Sequence, residues 1–578
     1  MKNDYSFLKK TLLLLLLLTI LSVCWIYTGD FYDKGEPREA SVAVSMIEGN
    51  EWILPIVYAD EMAFKPPFFH WLIAAFSLPQ GEVSVFTARL PSAIAFVCLI
   101  GACFLFFGRR MNRTQALLTC LILITSFELH RSAMEARVDM LLTALIVCGL
   151  FSLFRWEEKK QLHGFPILAV LLLSCATLVK GPVGIVLPLF VFGVYLLLLK
   201  YNIFKITGKF ILLAFASLLL PAVWYYLAYL QGGQEFFELV WAENFGRFFG
   251  SEVNIPYELG HEVPFYYNFI YLLFGFIPWT ILLLMSLFVL DYGFKLPKLK
   301  TIWRNLISME KVQLFSLLSA VLIVFFYCIP VSKRSVYIMP AYPFIAVFLS
   351  HYFLYLTQQK PKIIRIFSIL VAATGIFVAL IMLFTVLIPV ANPVQLFAFF
   401  DKRTLADIAA TWNALNAPYW FYLLIFFIIL VPIFVLFHWQ KRRNNLKILF
   451  AAVAVYFVTY LAVDAAFIPA FKNGVSIKPF AKEVEAYKAE YGDIYVLMIK
   501  HSRLFFKPYG MNFYLKNSLK NFVKELPEIG LLLMNEADYE PIYAQYADLY
   551  DFELLKKSDE KSRDTNQILV LYSIRKKN

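Results

Sequence analysis

Residues 11–27 read TLLLLLLLTILSVCWIY, and this stretch contains no charged side chain. A helix needs about 20 mostly apolar residues to cross a bilayer. Lys9 and Lys10 precede the stretch like the basic start of a signal peptide, but no small-residue cleavage site of the A-x-A type follows it. The stretch therefore predicts an uncleaved membrane-spanning helix.

The composition of the whole chain agrees with a membrane protein. Its 578 residues have a mean hydropathy of +0.66 and are 60% apolar and only 16% charged, whereas soluble domains are about 25% charged. The net charge of +12 does not indicate nucleic acid, because basic cytoplasmic loops give the same surplus. The seven cysteines lie in apolar runs without CxxC spacing, which favours buried small side chains over disulfides or zinc ligands.

Similar apolar runs recur along the chain and predict about thirteen spanning helices. Between them, lysines and arginines collect in every second connection, and the positive-inside rule places that set in the cytoplasm. The other set, including the loops 29–87 and 231–267, then faces outward. The predicted spans lie near residues 9–28, 88–108, 113–128, 137–155, 165–180, 182–200, 208–230, 268–290, 312–329, 336–357, 364–390, 418–438 and 447–468.

The last hundred residues differ from the rest. From residue 471 onward no span is predicted, and short apolar runs such as DIYVLMI, IGLLLM and QILVLYSI alternate with polar helical stretches. This length is sufficient for a small α/β domain. We therefore predict a polytopic α-helical membrane domain over 1–470, with surface helices in its outward loops, and an external α/β domain over 471–578.

The first outward loop carries two candidate functional residues. Pro37 suits the first turn of a helix, and the apolar spacing after it predicts a helix lying along the membrane surface. Glu36 would stand at the start of this helix, either as a capping acid or as a functional carboxylate. Lys65 precedes Pro66 and Pro67, and it is either a snorkelling lysine or a phosphate ligand.

Asp139 is the candidate at the outer mouth of the fourth span. A carboxylate beside the bilayer is unfavourable enough to indicate function, unless Arg131 or Arg137 neutralises it. Further along, Lys180 interrupts two apolar runs in LVKGPVG, and Lys333 and Arg334 stand in an outward loop just before Tyr337. Together with Lys65 these are outward cations of the kind that bind phosphate, and a lipid phosphate would arrive at that depth.

Three further residues have weaker signals. His261 precedes Glu262 and a cluster of aromatic residues, but it has no spaced metal-ligating partners, so no metal site is predicted. Glu243 and Arg247 are four residues apart, and at helical spacing they either pair with each other or line a cavity.

Eight segments of the chain, taken in the order in which they occur, resemble segments of the lipid-linked sugar transferases of the GT-C superfamily. The resemblance is to the branch that contains the aminoarabinose transferase of lipid A and the protein-mannosyltransferase-like proteins, and it extends over about the whole chain. The segments are GEPREASVAVSMIEGNEWILP, FKPP, ARVDML, LVKG, WAENFGRF, HEVPFYY, FIPW and SKRSVYIMPAYP.

This resemblance implies a GT-C fold and inverting transfer of a sugar from polyprenyl phosphate, such as undecaprenyl phosphate, to a lipid or glycan acceptor. A lipid A phosphate is one candidate acceptor. It implies no required cofactor, with a divalent cation left open, and a place in the bacterial inner membrane with the active face and C-terminus periplasmic. The expected roles are as follows: catalytic, Asp139 and Glu36; donor-phosphate binding, Lys65, Lys180, Lys333 and Arg334; cavity or acceptor, Arg38, Tyr337, His261, Glu243 and Arg247.

Two positions depart from the family pattern. Gly35 stands where the family has an aspartate, which leaves Glu36 alone with Asp33 and Asp30 nearby, and Phe64 stands where the family has a glutamate. The alternative functions are a transporter or flippase, or a non-catalytic binder, of a polyprenyl-phosphate lipid. A transporter predicts polar groups near the middle of its spans, whereas here the predicted spans are almost free of charge there.

Overall fold

The computed structural model describes residues 2–59, 61–246, 263–289, 301, 304–306, 308–387, 401–415, 417–497 and 506–577. Two predicted site residues, His261 and Arg247, lie outside these described residues.

Helices dominate the first half of the chain. Asn202 begins the long α10, where its side chain accepts a hydrogen bond from the N–H of Phe204, and Gly233 interrupts that helix with a positive φ of 56°. The helices are α1 (Lys2–Ser22), α2 (Gly35–Glu48), α3 (Phe68–Ser77), α4 (Val85–Phe107), α5 (Arg113–Ile124), α6 (Phe127–Ala133), α7 (Val138–Lys160), α8 (Ile167–Lys180), α9 (Val183–Leu198) and α10 (Ile203–Trp241).

The second half continues with helices and ends in a sheet. The helices are α11 (Tyr267–Gly275), α12 (Trp279–Leu287), α13 (Lys311–Cys328), α14 (Tyr342–Gln359), α15 (Pro361–Leu387), α16 (Lys402–Asn413), α17 (Tyr419–Lys441), α18 (Asn445–Gly474), α19 (Lys478–Tyr491), α20 (Tyr509–Tyr514), α21 (Phe522–Glu525) and α22 (Tyr539–Tyr546). The strands are β1 (Ile494–Val496), β2 (Leu519–Asn521), β3 (Ile529–Asn535), β4 (Tyr550–Lys557) and β5 (Leu569–Lys576).

Among the described residues, eight helices are long and apolar enough to cross a membrane. Two further pairs, α5 with α6 and α11 with α12, would each count as one broken span, bent by 61° and 109°. The apolar helices α8 and α9 are shorter. A helix therefore lies at each of the thirteen predicted positions, but the number of thirteen complete spans is not confirmed.

The helix predicted after Gly35 is present as α2, and other parts of the chain cover most of it. Nearly all residues of α2 from 36 to 46 are buried, including polar ones such as Ser41 and Ser45. The helix packs on α3 and α4 from one side and on α20 of the C-terminal region from the other. Because it is covered by two layers, α2 is a central packing element and holds its polar side chains in fixed positions.

The C-terminal region forms a mixed five-stranded sheet in the order β2-β1-β3-β5-β4. β1 runs parallel to β2 and β3, whereas β5 runs antiparallel to β3 and β4. The three apolar runs noted in the sequence contain β1, β3 and β5, which are the three inner strands and are almost entirely buried. The predicted small α/β domain is therefore present.

This sheet domain is fixed to the first loop by polar contacts. The Lys507 ammonium lies 2.6 Å from a carboxylate oxygen of Glu61, and the Asn517 amide donates to Ser45 Oγ at 2.8 Å. The Asn517 amide also donates to the Ser41 carbonyl at 2.8 Å. Because these contacts reach α2 directly, the domain sets the position of the helix that carries several charged residues.

Candidate functional site

A cavity of about 640 Å³ lies where the first loop meets the ends of several spans. Its walls come from the start of α2, the segment around Lys65, the start of α7, the junction of α8 and α9, the end of α13 and the segment from Pro330 to Tyr337. These elements are far apart in sequence. They meet because successive spans reverse direction, so that alternate connections gather at the same end of the bundle.

The charge of the cavity lining favours an anionic ligand. Seven cations and four carboxylates contribute to it, a net of +3 (7 − 4), next to an apolar wall. Point charges and guanidinium groups of this kind bind phosphate. The cations are Lys34, Arg38, Lys65, Arg131, Arg137, Lys180 and Arg334, and the carboxylates are Asp33, Glu39, Asp139 and Glu243.

Glu39 holds the charged side chains on one side of the cavity in place. Its Oε1 accepts hydrogen bonds from the Lys65 ammonium at 2.6 Å and from the Arg38 guanidinium at 2.7 Å. Its Oε2 lies 2.8 Å from Nε2 of the buried His70. The carboxylate is only 5% exposed. Three side chains therefore converge on one buried carboxylate, which fixes Lys65 and Arg38 at the edge of the cavity.

These contacts alter the protonation of both partners. Burial and the neighbouring Arg38 lower the pKa of Lys65 to about 8, and Glu39 opposes the effect. Burial alone would raise the pKa of Glu39, but Lys65 and Arg38 outweigh it and hold that pKa well below its usual range. Glu39 therefore stays ionised, and the pKa of Lys65 lies close to physiological pH.

The other half of the cavity is organised by Asp139 and Lys180. Asp139 is the second residue of α7 and forms an ion pair with Lys180, the last residue of α8. The Lys180 ammonium also lies 3.9 Å from the centroid of the Tyr337 ring. Asp139 is thus neutralised by Lys180, whereas the sequence offered Arg131 or Arg137 as its partners. Arg131 instead contacts Glu128 at 2.7 Å.

Most of the predicted residues that the structure describes are brought to this one cavity. Arg38, Lys65, Asp139, Lys180, Glu243, Arg334 and Tyr337 all line it. Their approach depends on tertiary contacts between the first loop, α7, α8, the turn after α10 and the segment after α13. The geometry places these residues together, and their roles in binding or catalysis remain predictions.

Glu36 is the first correction. It does not line the cavity and is 1% exposed. Its two oxygens accept hydrogen bonds from the Arg89 guanidinium at 2.7 and 3.0 Å, and Oε1 also accepts the N–H of Ala136 at 2.9 Å. Burial opposes ionisation, but Arg89 outweighs it and lowers the pKa of Glu36 to about 2. Glu36 therefore lies in a buried ion pair with Arg89 and not among the residues that line the cavity.

Lys333 is the second correction. It is not among the residues that line the cavity, and its ammonium donates to the carbonyl of Val263 at 3.2 Å. The residue is 5% exposed. Its neighbour Arg334 lines the cavity, because successive side chains of this extended segment point in different directions. Of these two neighbouring cations, Arg334 is therefore the one that lines the cavity.

Several cavity residues were not selected from the sequence. Glu39 was missed because a glutamate inside a predicted surface helix is ordinarily solvated. Arg137 was considered only as a partner for Asp139, yet it contacts Glu135 at 2.6 Å and Asp33 at 3.3 Å. The only sequence signal for Asp33 was its closeness to Gly35, the position at which the family aspartate is missing.

No group of three or more His, Cys, Asp and Glu side chains with a metal-binding arrangement occurs among the described residues. The cations of the cavity are instead provided by side chains, chiefly Lys65, Lys180 and Arg334.

The sequence of this chain is similar to those of several known proteins. Residues 64–226 match the family described as dolichyl-phosphate-mannose-protein mannosyltransferase. An uncharacterised protein of Aquifex aeolicus is 27% identical, covering 68% of this chain and 74% of that protein. The undecaprenyl phosphate-alpha-4-amino-4-deoxy-L-arabinose arabinosyl transferase of Shewanella sediminis is 24% identical, covering 67% of each.

The fold is similar to that of a solved structure as well. ArnT from Cupriavidus metallidurans, crystallised with undecaprenyl phosphate, superposes with a TM-score of 0.66 at 17% identity and covers 98% of both chains. Together with the cavity, these likenesses define the chain as a membrane glycosyltransferase with the GT-C fold. Within that class it is similar to the lipid-linked sugar transferases of the aminoarabinose transferase type.

Proposed function

We propose that this protein transfers a sugar from a polyprenyl phosphate, with undecaprenyl phosphate as the carrier, to a lipid or glycan acceptor. The observation that carries the proposal is the convergence of Lys65, Lys180 and Arg334 on one cavity with a net positive lining and an apolar wall. An amphiphilic phosphate is the ligand that matches both features.

The cations have a direct chemical use in such a transfer. When the bond between the anomeric carbon and the phosphate oxygen breaks, negative charge grows on the departing phosphate. Positive groups already fixed at that place lower the barrier, because they need not reorganise during the reaction. Glu39 holds Lys65 and Arg38 in place, and Asp139 holds Lys180. A single displacement in this cavity would invert the anomeric carbon.

The apolar wall is suited to the isoprenoid chain. Val183 and Val186 at the start of α9 line the cavity together with Phe326 near the end of α13. Val186 is 49% exposed. A lipid tail can therefore lie along this apolar wall, while its phosphate stays among the cations.

The relatives support this carrier and leave the acceptor open. The Shewanella sediminis relative is named for undecaprenyl phosphate carrying aminoarabinose, and the Cupriavidus metallidurans structure contains undecaprenyl phosphate. By analogy, a lipid A phosphate is one candidate acceptor and a hydroxyl of a lipid or glycan is another. The proposed place is the bacterial inner membrane, with the cavity and C-terminal domain on the periplasmic side.

We further propose that the reaction requires no metal, since side-chain cations surround the place of the leaving phosphate. Transfer should then be unchanged by EDTA and by subsequent addition of Mg²⁺ or Mn²⁺. Loss of transfer in EDTA, with recovery on adding one of these ions, would contradict this part of the proposal.

The function is tested with purified protein in nanodiscs. The polyprenyl-phosphate-sugar fraction of the native membrane serves as donor and a native membrane extract as acceptor, and the release of free undecaprenyl phosphate is measured by mass spectrometry. We expect acceptor-dependent release, which Lys65→Ala abolishes. Lipid that is moved between leaflets without release would identify a flippase instead. Protease cleavage of the C-terminal domain in spheroplasts tests the proposed orientation.

A further inference from the structure

The four carboxylates of the cavity differ in how strongly they are neutralised. Glu39 is held by Lys65, Arg38 and His70, and Asp139 is paired with Lys180. Both are thereby tied to the positions of cations, and neither is suited to accept a proton. Glu243 lies within electrostatic reach of Arg38 and Lys65.

Asp33 is held more loosely. Its Oδ1 accepts the N–H of Gly35 at 2.9 Å, and its Oδ2 lies 3.3 Å from a guanidinium nitrogen of Arg137. Arg137 is shared with Glu135, which it approaches more closely, at 2.6 Å. The Asp33 side chain lines the cavity and is 30% exposed. It is therefore open to a ligand and incompletely neutralised.

The electrostatic surroundings also favour proton uptake by Asp33. Burial raises the pKa of Asp33 above its usual value, Arg137 opposes this, and Glu135 and Glu36 raise the pKa further. A carboxylate with a raised pKa is a better proton acceptor than one whose pKa is depressed by a strong ion pair.

Gly35 makes room for this carboxylate. A Cβ atom at residue 35 would lie 3.2 Å from Asp33 Oδ1 and 3.3 Å from a guanidinium nitrogen of Arg137. A side chain at residue 35 would therefore project into the space that the Asp33 carboxylate occupies. The backbone of Gly35 is not in the left-handed region, so no conformational demand requires a glycine there.

We infer that Asp33 is the general base of the transfer, and that the acceptor nucleophile is a hydroxyl group; this inference rests on the proposed function. The acceptor oxygen forms the bond to the anomeric carbon, and its proton passes to Asp33. The bond between that carbon and the donor phosphate breaks, and its electron pair leaves with the phosphate among the cavity cations. An ionised phosphate acceptor has no such proton to lose and needs no base.

The test compares Asp33→Asn, Asp33→Ala and the double variant Asp33→Ala/Gly35→Asp in nanodiscs. The double variant returns a carboxylate to the same space, beside Arg137, from the position two residues later. Asp30→Asn is the matched control, because Asp30 is a nearby acid that does not line the cavity and instead pairs with Lys478. Release of undecaprenyl phosphate and the Kd for undecaprenyl phosphate are measured for each.

We expect both single Asp33 variants to release undecaprenyl phosphate at least about 100-fold more slowly, with its Kd changed by less than about threefold. The double variant should recover at least about tenfold over Asp33→Ala, and Asp30→Asn should be unchanged. The product should resist mild acid, which cleaves glycosyl phosphates.

Four results would overturn the inference. One is an Asp33→Asn variant that retains transfer within about threefold of the unmodified protein. Another is loss of undecaprenyl phosphate binding in both single variants, which would make Asp33 a support for Arg137. A third is a double variant that binds undecaprenyl phosphate normally but does not recover transfer. The fourth is an acid-labile product. If the unmodified protein releases no undecaprenyl phosphate, the proposed function itself fails.

Discussion

The Glu39 carboxylate and the Lys65 ammonium lie 2.6 Å apart, one on α2 and the other 26 residues later in the same loop. This pair joins a buried helix to the edge of the cavity, which Lys65 lines. Arg38 and His70 complete the arrangement around the same carboxylate. The buried neighbours of Lys65 therefore set its protonation state, and the pH dependence of ligand binding measures this effect.

The affinity for undecaprenyl phosphate should fall as the pH rises through about 8. Burial and Arg38 lower the pKa of Lys65 to about 8, and the ammonium that attracts the phosphate is lost above this pH. We expect a steady Kd between pH 7 and 7.5 and an increase of about tenfold per unit well above pH 8. Titration in nanodiscs measures this. Lys65→Arg is the control and should remove the dependence, since arginine stays charged.

Glu39→Gln should move the midpoint of that pH dependence downward. Glu39 raises the pKa of Lys65 against the effects of burial and Arg38, so its neutralisation lets the ammonium lose its proton at lower pH. His70→Gln should shift the midpoint less, because the histidine acts only through its contact with Glu39 Oε2. A midpoint that stays near 8 in Glu39→Gln would contradict the assigned contacts.

Lys180 and Lys333 should behave differently, although the sequence suggests the same role for both. Lys180→Met removes a cation from the cavity and leaves Asp139 without its partner. We expect undecaprenyl phosphate to bind about 10- to 100-fold more weakly, as for a lost charged contact of about 1.5–3 kcal/mol. Lys333→Met should change the Kd less than about threefold, because Lys333 faces Val263 outside the cavity. Equal losses would refute the placement of Lys333.

Glu36→Gln should reduce stability without acting on the chemistry. Its neutralisation leaves the buried Arg89 guanidinium uncompensated, a loss of about 3–5 kcal/mol, and should lower the Tm of the purified protein. The folded-state pKa of about 2 lies below the ordinary 4.5. This stabilisation is therefore fully present above pH 4.5 and is lost as the pH falls toward 2.

The matched control for Glu36→Gln is Glu48→Gln, the same change at the exposed end of α2. It should leave the Tm unchanged. If Glu36→Gln kept its Tm but lost the release of undecaprenyl phosphate, a catalytic role for Glu36 would be restored.

Much of the fold followed from local patterns in the sequence. Apolar runs long enough to cross a bilayer marked the positions at which helices occur, and three short apolar runs marked the inner strands of the C-terminal sheet. Both patterns are properties of contiguous residues. The breaks between α5 and α6 and between α11 and α12 were not expected, because a bent span has the same composition as a straight one.

The sequence predicted only some of the residues that line the candidate site. Isolated charges in the predicted outward loops singled out Lys65, Asp139, Lys180 and Arg334, since such residues are unusual beside a membrane. The same reasoning selected Glu36 and Lys333, which are just as unusual but are directed into buried pairs with Arg89 and Val263. Charge and position in sequence do not show the direction of a side chain.

The sequence by itself determined that this is a helical membrane protein with charged connections between its apolar runs, because hydropathy and charge are sums over neighbouring residues. Only the tertiary structure decided which charges share a cavity. The pairs Glu39–Lys65 and Asp139–Lys180 depend on distances between residues that are far apart in the sequence. The space for the Asp33 carboxylate depends on the Cβ atom that Gly35 lacks. Such distances are set by packing, which joins the ends of separate spans into one site.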